Sequence, residues 1–107
     1  MTEYCVVVLD KPGSDRSRYL KEHFTAITGS IESGRVLSGG QINSEADPVT
    51  GERFSIGSHI QIKADSREEV IEMLKHDIFA REDVWDLENA IIYQLDCAYR
   101  QEKKFVL

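Results

Sequence analysis

The apolar positions of this chain change period several times, and each change marks an element. Glu3 to Leu9, "EYCVVVL", is a β-rich run with Cys5, Val7 and Leu9 on one alternating face and Tyr4, Val6 and Val8 on the other. A strand apolar on both faces needs cover on both sides. Asp10-Lys-Pro-Gly13 breaks it, and Ser14 or Asp15 is placed to cap a helix. In that helix Leu20, Phe24, Ile27 and Ile31 recur at helical spacing, and Gly34 ends it after about Ser33. Val36 to Ile42 reads as a second strand and Asn43 to Gly51 as a polar loop. Phe54 to Ala64 reads as a third strand, with Ile56, Ile60 and Ile62 alternating against Gly57, His59, Gln61 and Lys63. Asp65-Ser-Arg-Glu68 has capping-box spacing and opens a second helix with Val70, Ile71, Leu74 and Ile78 on its apolar side. "AREDVWDLEN" leads to a last strand, Ala90 to Ala98, followed by a charged tail ending in three apolar residues.

The order βαββαβ predicts an α+β fold, a four-stranded antiparallel sheet with both helices on one face. Residues 1–107 are expected to form one domain, with a core over about 3–98 and a tail over 99–107. Two helices cover only one side of the sheet. The first strand's second apolar face therefore predicts a homodimer through the open sheet face. At ~25 cal/mol per Å², a few hundred Å² of apolar cover stabilises by several kcal/mol before association costs. His59, Gln61, Gln94 and Asp96 predict that this face is mixed in character.

Composition narrows the function classes. The 107 residues carry 13 Lys and Arg against 19 Asp and Glu, a net charge of −6. That sign argues against non-specific nucleic-acid binding, which needs a basic face. No apolar run approaches the roughly 20 residues of a membrane helix, and Met1-Thr-Glu-Tyr4 lacks the pattern of a signal peptide. A cytoplasmic location is expected, with Cys5 and Cys97 as reduced thiols packed like small apolar groups.

Few residues are placed to carry chemistry. His23 lies about 60° from Leu20, on the flank of the first helix's apolar stripe, and Arg16 lies on the same flank. Such an edge, half buried and half wet, suits a proton shuttle, but more often holds a boundary histidine that only packs. Asp77 follows Leu74 by three residues and is expected in the last turn of the second helix, where the dipole disfavours a carboxylate. It must cap, pair with a cation or serve a site. With both helices on one sheet face, His23 and Asp77 are placed to meet across the groove between them, where an Asp–His bond would fix the imidazole tautomer. Gly39-Gly40, on the strand directly after His23's helix, either opens a small pocket beside the imidazole or marks a β-bulge. The pair is neither a Walker loop nor a GxGxxG. His23, His59 and His76 are too scattered to spell a metal site, and Ser58 and His59 face opposite sides of a strand. "DKPGSDRSR" is a solvated turn or an anion site at a helix start.

Three stretches, His23 on the first helix, "GRVLSGG" from Gly34 to Gly40 and "HDIFAREDVW" from His76 to Trp85, resemble in order the YCII-related (YciI-like) family. That family pairs a helix histidine with a "GRLLTAGP"-type strand and an "ADPY…AGVY"-type segment. Asp10 matches an aspartate after the first strand, and Gly57-Ser58 a "GS" opening the third; the resemblance runs over about residues 3 to 96. It implies a ferredoxin-like sandwich that doubles into a dimeric α+β barrel, with a His–Asp pair, here His23 and Asp77, in a cleft. Asp10, Gly39, Gly40 and Ser58 are the matching candidates for binding, with Arg16 the nearest equivalent of the family's arginine. The chain departs from the pattern where a proline is replaced by Ile78, another by Gln41, and an arginine before the histidine by Leu20. Relatives in the superfamily eliminate chloride from aromatic rings, isomerise muconolactones or oxygenate small molecules.

The expectation is a small enzyme without metal or cofactor, with His23 as general acid/base and Asp77 orienting it. The reaction would be isomerisation or dehydrochlorination-like elimination on a small cyclic or unsaturated compound. The alternatives are a non-catalytic dimeric module binding a small ligand or partner, and a cofactor-free monooxygenase.

Overall fold

The computed structural model describes residues 1–104; the apolar end of the tail, residues 105–107, lies outside the described residues. Four strands, β1 (Thr2–Leu9), β2 (Val36–Asn43), β3 (Ser55–Ala64) and β4 (Ile91–Leu95), form one antiparallel sheet in the order β2-β3-β1-β4. The helices are α1 (Leu20–Glu32), α2 (Arg67–His76) and a four-residue α3 (Ile78–Arg81).

Register explains how the two faces of β1 divide. Tyr4, Val6 and Val8 pair with Ile62, Ile60 and Ser58 of β3 and lie buried beneath the helices. Val70, Leu74, Ile78, Phe79, Val84 and Trp85 pack onto them. On the opposite face Cys5, Val7 and Leu9 stand beside Ile91 and Tyr93 of β4, and Leu9, Ile91 and Tyr93 are exposed. His59 and Gln61 share that outer face through their pairing with Val7 and Cys5. Gln94 does not: it pairs with Tyr4, which puts it on the helix side, and Asp96 falls beyond the strand. β4 is shorter than the pattern predicts because its partner runs out, Leu95 already pairing with Glu3 at the start of β1.

The helix ends differ from expectation in ways that matter for the site. The first helical segment starts at Asp15, whose side chain accepts the Ser17 N–H, but its first four residues form a 3₁₀ turn, Arg16–Tyr19, before α1 proper. α1 ends in a Schellman motif: Arg35 N–H donates to Ser30 C=O at 2.9 Å and Gly34 N–H to Ile31 C=O at 3.1 Å, with Gly34 at φ +80°. The capping box of α2 sits one residue later than Asp65 predicts. Ser66 Oγ accepts the Glu69 N–H at 3.1 Å, and the Glu69 carboxylate accepts the Asp65 N–H at 3.2 Å.

The glycines of β2 and β3 answer to different constraints. An added Cβ at Gly57 would meet Val8 O at 2.5 Å and Leu9 Cα at 3.1 Å, so close strand approach requires this glycine. At Gly40 the same atom meets nothing within 4 Å, and at Gly39 only His59 O at 3.6 Å, an ordinary contact. The register shifts of β2 lie at Val36/Ser38 and Ile42/Asn43, on either side of the pair, so no bulge sits at Gly39-Gly40. We expect Gly57→Ala to lower stability by about 2–3 kcal/mol through forced backbone shifts, and Gly40→Ala to change it by less than about 1 kcal/mol. Urea denaturation midpoints of the two variants check this; equal midpoints would contradict it.

Candidate active site

His23 is the one buried residue of α1, which corrects the expectation of a half-wet flank position. The apolar stripe itself, Leu20, Phe24, Ile27 and Ile31, is only partly buried. The reason is that α1 stands off from the edge strand β2 and leaves a cleft of about 800 Å³ between them. Those four residues form one wall, and Gly39, Gly40, Ser58 and Ile60 contribute to the other side. The sequence thus writes this helix as amphipathic, and the structure uses its apolar stripe to line a cavity as well as to pack.

The imidazole is held from several directions. Its Nδ1 lies 2.9 and 2.8 Å from the two Asp77 carboxylate oxygens. The ring stacks on Phe79 with centroids 4.3 Å apart and planes 15° from parallel, and it meets Trp85 edge-on at 6.0 Å. A carboxylate only accepts, so Nδ1 carries the proton and donates, which leaves the lone pair on Nε2. Among the described residues Nε2 has no hydrogen-bond partner, and it is not a sealed, unsatisfied atom. It is the ring nitrogen that the protein itself leaves unengaged.

Asp77 stands where the sequence places it but not in the expected electrostatic setting. Its backbone is extended, with φ −70° and ψ 144°, so α2 stops before it and α3 starts after it. Its carboxylate accepts the Phe79 N–H at 2.9 Å as the N-cap of α3. A carboxylate is favoured at a helix start, where free N–H groups point outward. One side chain therefore caps a helix, sets the backbone that carries Phe79, and pins His23.

A second polar cluster lies beside the first. Arg16 is buried and paired with Asp10 through two bonds, Nε to Oδ2 at 2.8 Å and Nη2 to Oδ1 at 3.0 Å. Nη2 also donates to Ser58 Oγ at 2.7 Å, and the Trp85 indole N–H donates to the same oxygen at 3.2 Å. With both lone pairs of Ser58 engaged, its own O–H has no acceptor among the described residues. The guanidinium lies 4.9 Å from the Phe79 ring centroid, so Phe79 touches both clusters. The "DKPGSDRSR" stretch thus folds inward through Asp10 and Arg16. His59 and His76 stay away from His23: His59 is on the outer sheet face, and exposed His76 bonds to Glu72 C=O. Among the described residues no three His, Cys, Asp or Glu side chains are grouped to hold a metal ion, and no helix is long and apolar enough to cross a membrane.

Residue spacing alone does not single out Phe79 and Trp85 as site residues. The signal available was that the chain's one tryptophan follows an apolar-interrupted segment, "IFAREDVW", too short to make a second full helix.

Fold and site together define a ferredoxin-like α+β sandwich with a His–Asp pair in an open cleft. The YCII-related domain matches residues 2–93, and the chain belongs to that family. Over 88 residues it is 32% identical to fusaric acid biosynthesis protein 2 of Gibberella fujikuroi, covering 80% of this chain and 85% of that protein. Over 106 residues it is 29% identical to aspartate kinase FUB3 of Fusarium oxysporum f. sp. lycopersici, covering 97% of this chain. The chain spans about a fifth of that relative, 20% of its length. A solved structure of 5-chloro-2-hydroxyhydroquinone dehydrochlorinase from Burkholderia phenoliruptrix AC1100, in complex with 2,5-dihydroxybenzoquinone, shares the fold. Its TM-score is 0.73 at 18% identity, covering 88% of this chain and 93% of that one.

The two clusters should differ in what their loss costs. Asp10→Ala strands a buried guanidinium and is expected to destabilise by about 3–5 kcal/mol. Asp77→Ala removes a cap and a histidine partner, for about 1–3 kcal/mol. Urea unfolding measures both, and an Asp10→Ala protein within 0.5 kcal/mol of wild type would contradict the first figure.

Proposed function

We propose that this chain is a small acid/base enzyme whose general acid/base is Nε2 of His23, oriented by Asp77. The observation that carries the reading is the Nδ1–carboxylate contact at 2.8–2.9 Å, with the opposite nitrogen left unbonded on a cleft large enough for a ring-sized molecule. The substrate would be a small cyclic or unsaturated carbonyl or phenolic compound. The chemistry would be proton transfer leading to isomerisation or elimination. Nε2 takes a proton from an acidified carbon or hydroxyl and returns it elsewhere, while Asp77 holds the imidazolium. Ser58 O–H and Arg16, which line the same cleft as His23, would meet a developing oxyanion. Support comes also from the relatives. One is named for a biosynthetic pathway of a small molecule and one for dehydrochlorination of a hydroxyhydroquinone.

A second reading has its own observation. His23 stacks on Phe79 and Asp77 caps the helix that carries Phe79, so the pair would also serve a purely structural role in a non-catalytic binding module. Chloride release from 5-chloro-2-hydroxyhydroquinone and related chlorinated hydroquinones separates the two. The enzymatic reading expects turnover by the wild type and a ~10²- to 10⁴-fold loss in His23→Gln. A folded His23→Gln protein with undiminished turnover would end the assigned role.

We further propose that two copies associate through the outer sheet face, where Leu9, Ile91 and Tyr93 are exposed around Cys5 and Val7. Light scattering should give twice the 12.2 kDa chain mass, and replacing Ile91 and Tyr93 together by Lys should return it to one. A wild-type protein of single-chain mass at micromolar concentration would contradict the proposal.

A further inference from the structure

The tail that follows β4 also faces the cleft. Arg100 donates to the two Glu3 carboxylate oxygens at 3.0 and 3.3 Å, and this bond holds the Glu3 carboxyl below its ordinary value. Tethered there, residues 100–104 form part of the lining of the same 800 Å³ cleft that His23 faces. The charges on that lining are uneven. Arg16 and Arg100 are each matched by a carboxylate, Asp10 and Glu3. Lys103 and Lys104 have no ion partner among the described residues, and Glu102 is the one acidic side chain on the lining. A chain of net charge −6 thus presents unpaired cations at this cleft. The same lining includes the apolar side chains of Leu20, Phe24, Ile27, Ile31 and Leu37.

We infer that the cleft takes a small organic anion with a flat apolar body, and that Lys103 and Lys104 select it over neutral compounds of the same shape. The inference rests on the reading of the cleft as a substrate site and adds the charge class to it. Apolar walls take the ring, and an ionised carboxylate or phenolate is drawn to the lysines rather than repelled by the acidic surface. Solvent-exposed ammonium groups make this a modest preference, about five- to tenfold, that weakens as salt is raised.

The test uses the full chain and two probes of one shape, 4-hydroxybenzoate and 4-hydroxybenzamide, titrated by NMR at the Gly39 and Gly40 amides. The carboxylate should saturate these signals at about five- to tenfold lower concentration at low salt, and Lys103→Gln with Lys104→Gln should bring the two probes to within twofold. Equal affinities in the wild type, a preference that survives the double substitution, or no perturbation of either amide would each overturn the inference. The titration reads binding alone. Repeating it with His23→Gln keeps the result separate from the catalytic role, because the anion preference should persist there even if that role fails.

Discussion

The hydrogen bond between His23 and Asp77 joins parts of the chain that local propensity would leave independent, the first turn of α1 and the break between α2 and α3. Without it α1 would meet the rest mainly through residues that are half exposed, since His23 is its one buried side chain. The bond is short range and directional, and it positions an aromatic platform as well as a nitrogen. Asp77 fixes the start of α3, α3 places Phe79, and Phe79 carries the imidazole on one side while contacting the Arg16 guanidinium. Disturbing the carboxylate therefore reaches the cap, the stack and the pair of clusters together.

A core-forming helix and a cavity-lining helix make opposite demands on the same stripe of residues. Burying Leu20, Phe24, Ile27 and Ile31 fully would gain on the order of 1.5–3 kcal/mol each, and this fold forgoes part of that gain to keep the cleft open. A small residue on β2 serves the same end. Gly39 pairs with buried Ile60 and no neighbouring atom demands a glycine there, so its absent side chain leaves room on the cleft side, whereas Gly40 pairs with His59 of the outer face. The fixed core lies around Val6, Val8, Val70, Phe79 and Trp85 and meets the cleft at Ile60, which lets the cleft remain underpacked without loosening the sheet.

Much of this was legible in residue order. Period-2 and helical patterns place all four strands and both long helices, and Gly34 and Asp65 mark the end of the first and the start of the second to within a residue. The convergence of His23 with Asp77 followed from two helices sharing one sheet face. What escaped was set by contacts remote in sequence. The 3₁₀ turn at Arg16–Tyr19 follows from Arg16 reaching back to Asp10 and across to Ser58, partners 6 and 42 residues away. The change of Asp77 from the last turn of one helix to the cap of the next depends on a backbone torsion that no spacing rule encodes. The single burial of His23 follows from where α1 stands relative to β2, which is tertiary geometry. Family membership supplies the frame for a chemical reading, and the arrangement of Nε2, Ser58 and the cleft supplies its content.

The central physical claim is that a neutral His23 keeps its proton on Nδ1, toward Asp77, and turns an unprotonated Nε2 to the cleft. Long-range ¹H–¹⁵N correlation spectra of the imidazole measure this directly. The account predicts, at a pH where the ring is neutral, a protonated Nδ1 and a lone-pair-bearing Nε2 for His23, with the pattern redistributing in Asp77→Asn. A proton resident on Nε2 in the wild type, or a tautomer indifferent to Asp77, would contradict it.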